Sequence, residues 1–265
     1  MLLEESLLCC PKCRMRLFKT KSSLKCLSGH SFDISKEGYV NLLMSNSTGK
    51  RHGDDKLMVD ARRNFLEKGY YAPLRDTVKN ILGFGQKVLD IGCGEGYYTS
   101  AFAENNTVVG IDISKDAIKC ASKRCKNTEF AVASVASIPL HDKSINTIIN
   151  IFAPDSPFEF LRILNTNGRL IMVYPMENHL IELKTAVYDK PELNPQVNLS
   201  RDGMTLKTTN TLKYGINLDN NQDIISLFKM TPYYYKTSKA DQQKLSLLNS
   251  LTVTAEFLIA EYTLS

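Results

Sequence analysis

The segment Lys87-Val-Leu-Asp-Ile-Gly-Cys-Gly-Glu-Gly-Tyr-Tyr98 constrains this chain more than any other. An apolar run, Val88 to Ile91, passes directly into a turn with glycine at 92, 94 and 96, and a helical pattern through Thr99, Ala101 and Phe102 follows. Glycines at these positions let the backbone turn sharply and approach a ligand at the carboxyl end of the strand. The pattern is close to the glycine fingerprint of dinucleotide-binding domains, but its spacing is G-x-G-x-G and Asp90 stands just before the turn. A carboxylate there would repel a pyrophosphate. It suits the cationic sulfonium and amino group of S-adenosylmethionine, so Asp90 and Gly92 are expected at that cofactor.

The following residues repeat the strand-helix alternation of a parallel α/β sheet with ligands at the strand ends. A second strand, Thr107-Val-Val-Gly-Ile-Asp112, ends in an acid 22 residues after Asp90. That is where a nucleoside-binding doubly wound domain sets a carboxylate on the ribose hydroxyls. Ser114 is expected to cap a helix from Lys115 to Arg124. Further strands are predicted at Thr128–Val132, Ile145–Ile151 and Arg169–Tyr174, the last introduced by the turn Asn165-Thr-Asn-Gly168. The backbone of Ala133-Ser-Val135 is placed to flank an adenine. Leu251–Ile259 alternates as a half-exposed strand, expected antiparallel at the sheet edge. The aromatic cluster Thr231-Pro-Tyr-Tyr-Tyr235 reads first as packing against the sheet and second as a base-stacking surface. The fold class is therefore α/β, a class I (Rossmann-like) S-adenosylmethionine-dependent methyltransferase.

Ahead of this domain, Cys10-Pro-Lys-Cys13 is followed after twelve residues by Cys26-Leu-Ser-Gly-His30. Two such knuckles present four ligands to one tetrahedral ion, and three thiolates with an imidazole suit zinc. Some thirty residues bury too little apolar surface to fold alone, so the metal supplies the missing free energy. With Cys10, Cys13, Cys26 and His30 all bound, no position stays open for water or substrate, and the zinc is structural. Cys9 falls outside the two-residue spacing and is expected to be a spectator. Of the seven cysteines, an odd number, the rest read as small core hydrophobes rather than a disulfide framework.

The 265 residues accommodate one catalytic domain and a small module. The expected division is residues 1–45 for a zinc-binding RNA-recognition module and 46–265 for the methyltransferase domain. The latter has first helices at 54–82, a core sheet at 87–175 and C-terminal strands to 263. No apolar run approaches the ~18–20 residues of a membrane span, and the N-terminus lacks the basic region of a signal peptide. A cytoplasmic protein is expected. Residues 1–53 hold nine Lys/Arg against four Asp/Glu, so the entire net charge of +5 lies there. A localised basic excess points to a polyanion, nucleic acid first. Lys12, Arg14, Arg16, Lys19, Lys21, Lys25, Lys50 and Arg51 are the expected phosphate contacts.

These motifs, joined by Lys36-Glu-Gly-Tyr-Val-Asn-Leu42, Ala61-Arg-Arg-Asn-Phe-Leu66, Gly69-Tyr-Tyr-Ala-Pro-Leu-Arg-Asp76 and Glu177-Asn-His-Leu180, resemble the RlmA family of 23S ribosomal RNA guanine-N1 methyltransferases nearly end to end. The segment Ile151-Phe-Ala-Pro-Asp155 is most similar to the Gram-positive branch. The resemblance implies methylation of one guanine in an RNA hairpin, recognition aided by the zinc module, and, for some members, resistance to macrolides such as tylosin. It implies S-adenosylmethionine contacts at Tyr71, Gly94, Glu95 and His179, zinc at the four ligands above, and a possible homodimer. Two departures stand out: the extra thiol of Cys9, and Ser134 where many methyltransferases carry an adenine-binding Asp. Guanine N1 carries a proton near neutral pH, and Asp155, Glu177 and His179 are acceptors among which the sequence does not choose. Tyr97, Tyr98 or Phe152 could flank the base. The rival readings are a small-molecule methyltransferase with a structural zinc lid and a non-enzymatic RNA-binding factor.

Overall fold

The computed structural model describes residues 5–44 and 53–265, organised by two sheets. The smaller is an antiparallel meander of β1 (Glu5–Cys9), β2 (Arg16–Lys19), β3 (Ser23–Lys25) and β4 (Ser31–Asp33). Two of its three connections carry the knuckles, Cys10 and Cys13 between β1 and β2 and Cys26 and His30 between β3 and β4. Strands of three to five residues have little ladder to hold them, which is the stability gap a metal closes.

The chain then forms β5 (Val40–Asn41), α1 (Lys56–Leu66), α2 (Ala72–Leu82), β6 (Lys87–Ile91), α3 (Tyr97–Phe102), β7 (Thr107–Asp112), α4 (Lys115–Arg124) and β8 (Glu129–Val132). After β9 (Ile145–Ile151), α5 (Pro157–Ile163), β10 (Leu164–Pro175) and α6 (Ile181–Val187) come β11 (Met204–Leu218), α7 (Asn221–Lys229), α8 (Lys239–Leu245) and β12 (Leu251–Leu264). Eight of these strands form the larger sheet in the order β11-β12-β10-β9-β6-β7-β8-β5. Strands β5 to β10 run parallel, and β12 and β11 close the other edge antiparallel. The order reverses between β6 and β9, so a crevice opens at their carboxyl ends.

Local chemistry places the helices that frame this crevice. The Asp55 carboxylate accepts the Met58 N–H at 3.0 Å and starts α1, which buries Met58, Val59, Ala61, Phe65 and Leu66. Ser114 caps α4 by accepting from Ala117 N, as the sequence predicts. The helices α1, α2, α6 and α7 pack Phe65, Leu74, Leu183 and Leu227 against one face of the sheet. The other face is covered by α5 and by the small sheet, whose Leu8, Leu17 and Leu24 share one core with Leu89, Ile91, Val109 and Ile111.

Three features differ from the sequence reading or lie beyond it. The division expected at 45/46 falls outside the described residues, and Val40–Asn41, ahead of it, already pairs with β8 in the catalytic sheet. The connection from β8 to β9, residues 133–144, contains no helix. The small sheet packs there instead: Leu8 bridges Leu140, and Cys9 N–H donates to Pro139 O at 2.8 Å. The long strand β11 has no counterpart in the sequence reading. It is an edge strand, largely exposed between Thr205 and Lys213, and so lacks the apolar alternation that betrays a half-buried strand. No helix among the described residues is long and apolar enough to cross a membrane.

Candidate cofactor pocket and metal site

The glycine turn after β6 is left-handed at Gly92, Gly94 and Gly96, with φ of 62°, 56° and 84°. At two of them packing also excludes a side chain. A Cβ on Gly92 would lie 2.5 Å from Ala153 Cβ in the loop after β9, and one on Gly96 would lie 3.0 Å from Ala121 of α4. The turn is thus pressed between the β9 loop and α4 while its backbone borders a cavity of about 350 Å³.

Tyr71, Asp90, Gly92, Gly94, Glu95 and Asp112 all line this one cavity. Asp90 is 2% exposed and accepts the Thr99 hydroxyl at 2.6 Å. Burial pushes its carboxyl up to about 7, and the neighbouring Asp112 adds to the shift. Asp112 ends β7 with Oδ2 accepting Gly94 N–H at 3.0 Å and Oδ1 accepting Ser114 N–H at 2.7 Å. Burial raises its pKa and these two N–H groups oppose the rise. Glu95 is also raised by burial, opposed by Arg124, whose Nη2 lies 2.8 Å from Oε2. Ala133, Ser134 and Val135 form the adjoining wall.

This donor set fits S-adenosylmethionine. Carboxylates face the space its cations would occupy. Among the described residues, Glu95 Oε1 and the buried Tyr98 hydroxyl, both on residues lining the cavity, have no hydrogen-bond partner. Buried polar atoms without partners are the signature of a site completed by ligand or water.

His179 is brought close but is not among the residues lining the cavity. It is buried against Phe257, with ring centroids 4.6 Å apart, and burial lowers its pKa to about 4, so it is neutral. Glu256 N–H donates to Nδ1 at 3.1 Å, which leaves the proton on Nε2. Nε2 lies 3.4 Å from the Tyr71 hydroxyl. The histidine can only donate along that contact, and the Tyr71 O–H proton is left to donate elsewhere. His179 therefore supports Tyr71 from behind.

Of the three aromatics expected near a target base, Tyr97 is buried, Tyr98 packs edge-on against it at 5.1 Å, and Phe152 stands at the cavity mouth. Phe152 is 45% exposed and left-handed, with φ of 60°. A non-glycine residue held there stores strain, which proteins tolerate chiefly at working sites. Asp155 ion-pairs with Arg201, and neither it nor Glu177 lines the cavity. The aromatic cluster at residues 231–235, expected first against the sheet, packs inward on helix α7 instead, with Tyr233 and Tyr234 against Phe228, while Tyr235 is exposed and bonds Asp55. The sequence reading missed Gly53, Asp54 and Arg62 on the cavity wall. Arg62 sits within the Ala61–Leu66 motif, but neither spacing nor pattern marks it.

In the small sheet the ligand atoms of Cys10, Cys13, Cys26 and His30 all lie within 4.8 Å of one another. His30 Nδ1 is 3.5 Å from the sulfurs of both Cys10 and Cys26, and Cys13 Sγ is 3.7 Å from Cys26 Sγ. Tetrahedral zinc spaces its ligands at about 3.8 Å for two sulfurs and about 3.6 Å for sulfur and nitrogen. The residues fit the ion. Cys9 is fully buried and lies outside the cluster.

The basic residues of the module divide. Arg14, next to Cys13, donates to the carbonyls of Ile138 and Leu140 at 3.0 Å each, and Arg16 pairs with Glu5 at 2.9 Å. Lys12, Lys21 and Lys25 are exposed, and Lys50 and Arg51 lie outside the described residues.

Residues 83–231 match the methyltransferase domain model, and residues 8–47 match the model for the N-terminal zinc ribbon of RlmA. The Bacillus subtilis protein YxjB, named as a candidate 23S rRNA (guanine-N1)-methyltransferase, is 33% identical over 93% of each chain. The chain belongs to the RlmA family. A Streptomyces fradiae relative, the 23S rRNA (guanine(748)-N1)-methyltransferase, is 37% identical over 67% of this chain and 66% of its own. The fold is also that of a Bacillus halodurans crystal structure named for methyltransferase activity, with TM-score 0.50, 15% identity, and coverage of 71% of this chain and 97% of that one. The protein is an S-adenosylmethionine-dependent methyltransferase with a zinc ribbon.

Proposed function

We infer that this protein transfers a methyl group from S-adenosylmethionine to N1 of a specific guanine in a hairpin of 23S ribosomal RNA. The observation that carries the reading is an RlmA-type zinc ribbon sharing one core with a methyltransferase pocket, in a chain that matches a relative named for guanine-N1 methylation over 93% of its length.

The bound cofactor supplies a methyl group already activated as a sulfonium, so the protein's work is positioning and exclusion of water. In this reading Asp90 and Glu95 face the cationic end, Asp112 takes the ribose hydroxyls, and the Gly92–Gly94 backbone lies along the ligand. Tyr71, its acceptor side occupied by His179, donates into the pocket. The target guanine leaves its stack to reach the pocket, and Phe152 meets it at the mouth. Exposed Lys12, Lys21 and Lys25 hold phosphates and position the hairpin without reading its sequence. Arg14 instead fixes the module on the catalytic domain. The reading extends to residues 1–45 as the RNA-recognition module, a cytoplasmic location, a homodimeric state and an influence on macrolide susceptibility.

The test is methylation of 23S ribosomal RNA from a strain lacking the gene, followed by primer extension, which N1 methylation blocks. A stop at one hairpin guanine, lost in Asp90→Asn, supports the assignment. Cofactor binding with no transfer to RNA overturns it and turns the search to small-molecule acceptors.

A further inference from the structure

The cavity wall is unbalanced in charge. Its described lining residues include four acids, Asp54, Asp90, Glu95 and Asp112, and one cation, Arg62. S-adenosylmethionine brings the complementary set: a sulfonium, an ammonium and one carboxylate. The acids answer the two cations. The carboxylate, set among four acids, meets one oppositely charged side chain among the described residues lining the cavity, since Arg124 is taken up by Glu95 from outside the lining.

Arg62 is also placed for that role. It projects from α1 over the glycine turn, its Nη1 3.8 Å from where a Gly94 Cβ would stand. That separation is van der Waals contact, so the guanidinium lies directly against the turn. Asp54 holds Arg62 there in an ion pair, with the two side chains 26% and 27% exposed. A pair so wetted is weak and can be exchanged for a better anion. Asp54 itself is anchored, since its carbonyl accepts the Ser114 hydroxyl at 2.6 Å, and Gly53 packs against Ile113 and Ser114 at the end of β7. The guanidinium is thus preset above the turn by a fixed partner, with its planar fork matched to a carboxylate.

We propose that Arg62 binds the methionine carboxylate of S-adenosylmethionine, taking it in exchange for Asp54. The assignment rests on the cofactor alone and is independent of the methyl acceptor.

Isothermal titration without RNA separates it from a merely structural role of Arg62. The two ligands are S-adenosylmethionine and its decarboxylated analogue, which keeps the sulfonium and the amino group. Arg62→Gln should weaken S-adenosylmethionine binding about ten- to hundredfold, the range for a charge-assisted hydrogen bond. It should leave the analogue within about twofold of wild type, given that the contact is absent in both. Equal losses for both ligands, or no loss for either, would overturn the proposal. Asp54→Asn supplies a second test that leaves Arg62 in place. Released from its competitor, the guanidinium should bind S-adenosylmethionine more tightly and the analogue no more tightly. Weaker S-adenosylmethionine binding in that variant counts equally against the proposal.

Discussion

Asp90 makes cofactor binding dependent on pH. Burial pushes its carboxyl up to about 7, where an ordinary aspartate titrates at 3.8. A cationic ligand binds the ionised form, so the apo protein has to shed a proton first, and affinity falls as pH falls below 7. If only the carboxylate binds, the apparent affinity drops about 25-fold between pH 7.5 and 5.5, or about 1.9 kcal/mol. Binding at pH 6 then releases about 0.9 proton. Titration calorimetry in buffers of different ionisation enthalpy reads both numbers. Asp90→Asn retains the acceptor for the Thr99 hydroxyl but not the titration, so its weaker binding should lose most of that slope across the same range. A wild-type affinity independent of pH, or an equal slope in the asparagine variant, would refute the reasoning. Asp112 and Glu95 are raised as well, and the variant isolates Asp90 from them.

Three further outcomes are expected. Gly92→Ala forces a Cβ to 2.5 Å from Ala153 Cβ at a left-handed φ, and should cost about 1–3 kcal/mol while abolishing cofactor binding; thermal melts and titration check both. His179 has its folded pKa lowered to about 4 from 6.5, so the native state binds fewer protons than the unfolded chain between those values. Stability is complete above pH 6.5 and declines toward pH 4 by up to about 3 kcal/mol, and His179→Gln should flatten that part of a urea-unfolding series. Removing zinc with a chelator should lower the melting temperature of the whole protein, because the module shares the core of the sheet. A catalytic domain that melts unchanged after metal removal would count against this.

The central strands and the pocket's acidic end were legible because each is local in sequence. Val88–Ile91 with its three glycines, Asp112 at the end of β7 and Ser114 capping α4 declare themselves within a few residues. The zinc ligands were equally legible, since two knuckles at close spacing admit few other readings. What escaped depends on contacts distant along the chain. Nothing near Arg62 says that α1 returns over the turn at Gly94, 32 residues later. Arg14 looked like a phosphate contact by its charge, but its guanidinium reaches carbonyls more than 120 residues away. His179 was expected at the ligand, and only the hydrogen bond from Glu256 reveals it standing behind Tyr71.

The helix-free crossover between β8 and β9 has a consequence for how the enzyme matures. In most doubly wound sheets such a crossover covers its own face, so the nucleotide-binding half is self-sufficient once translated. Here the apolar surface of β6 and β7 is roofed by residues that owe their shape to a metal ion, and β5 caps the β8 edge on the way out. A chain trimmed to its catalytic part would present a bare strand edge and an open greasy face, a recipe for self-association. Cellular zinc supply would then govern how many active molecules exist rather than how firmly each one grips RNA.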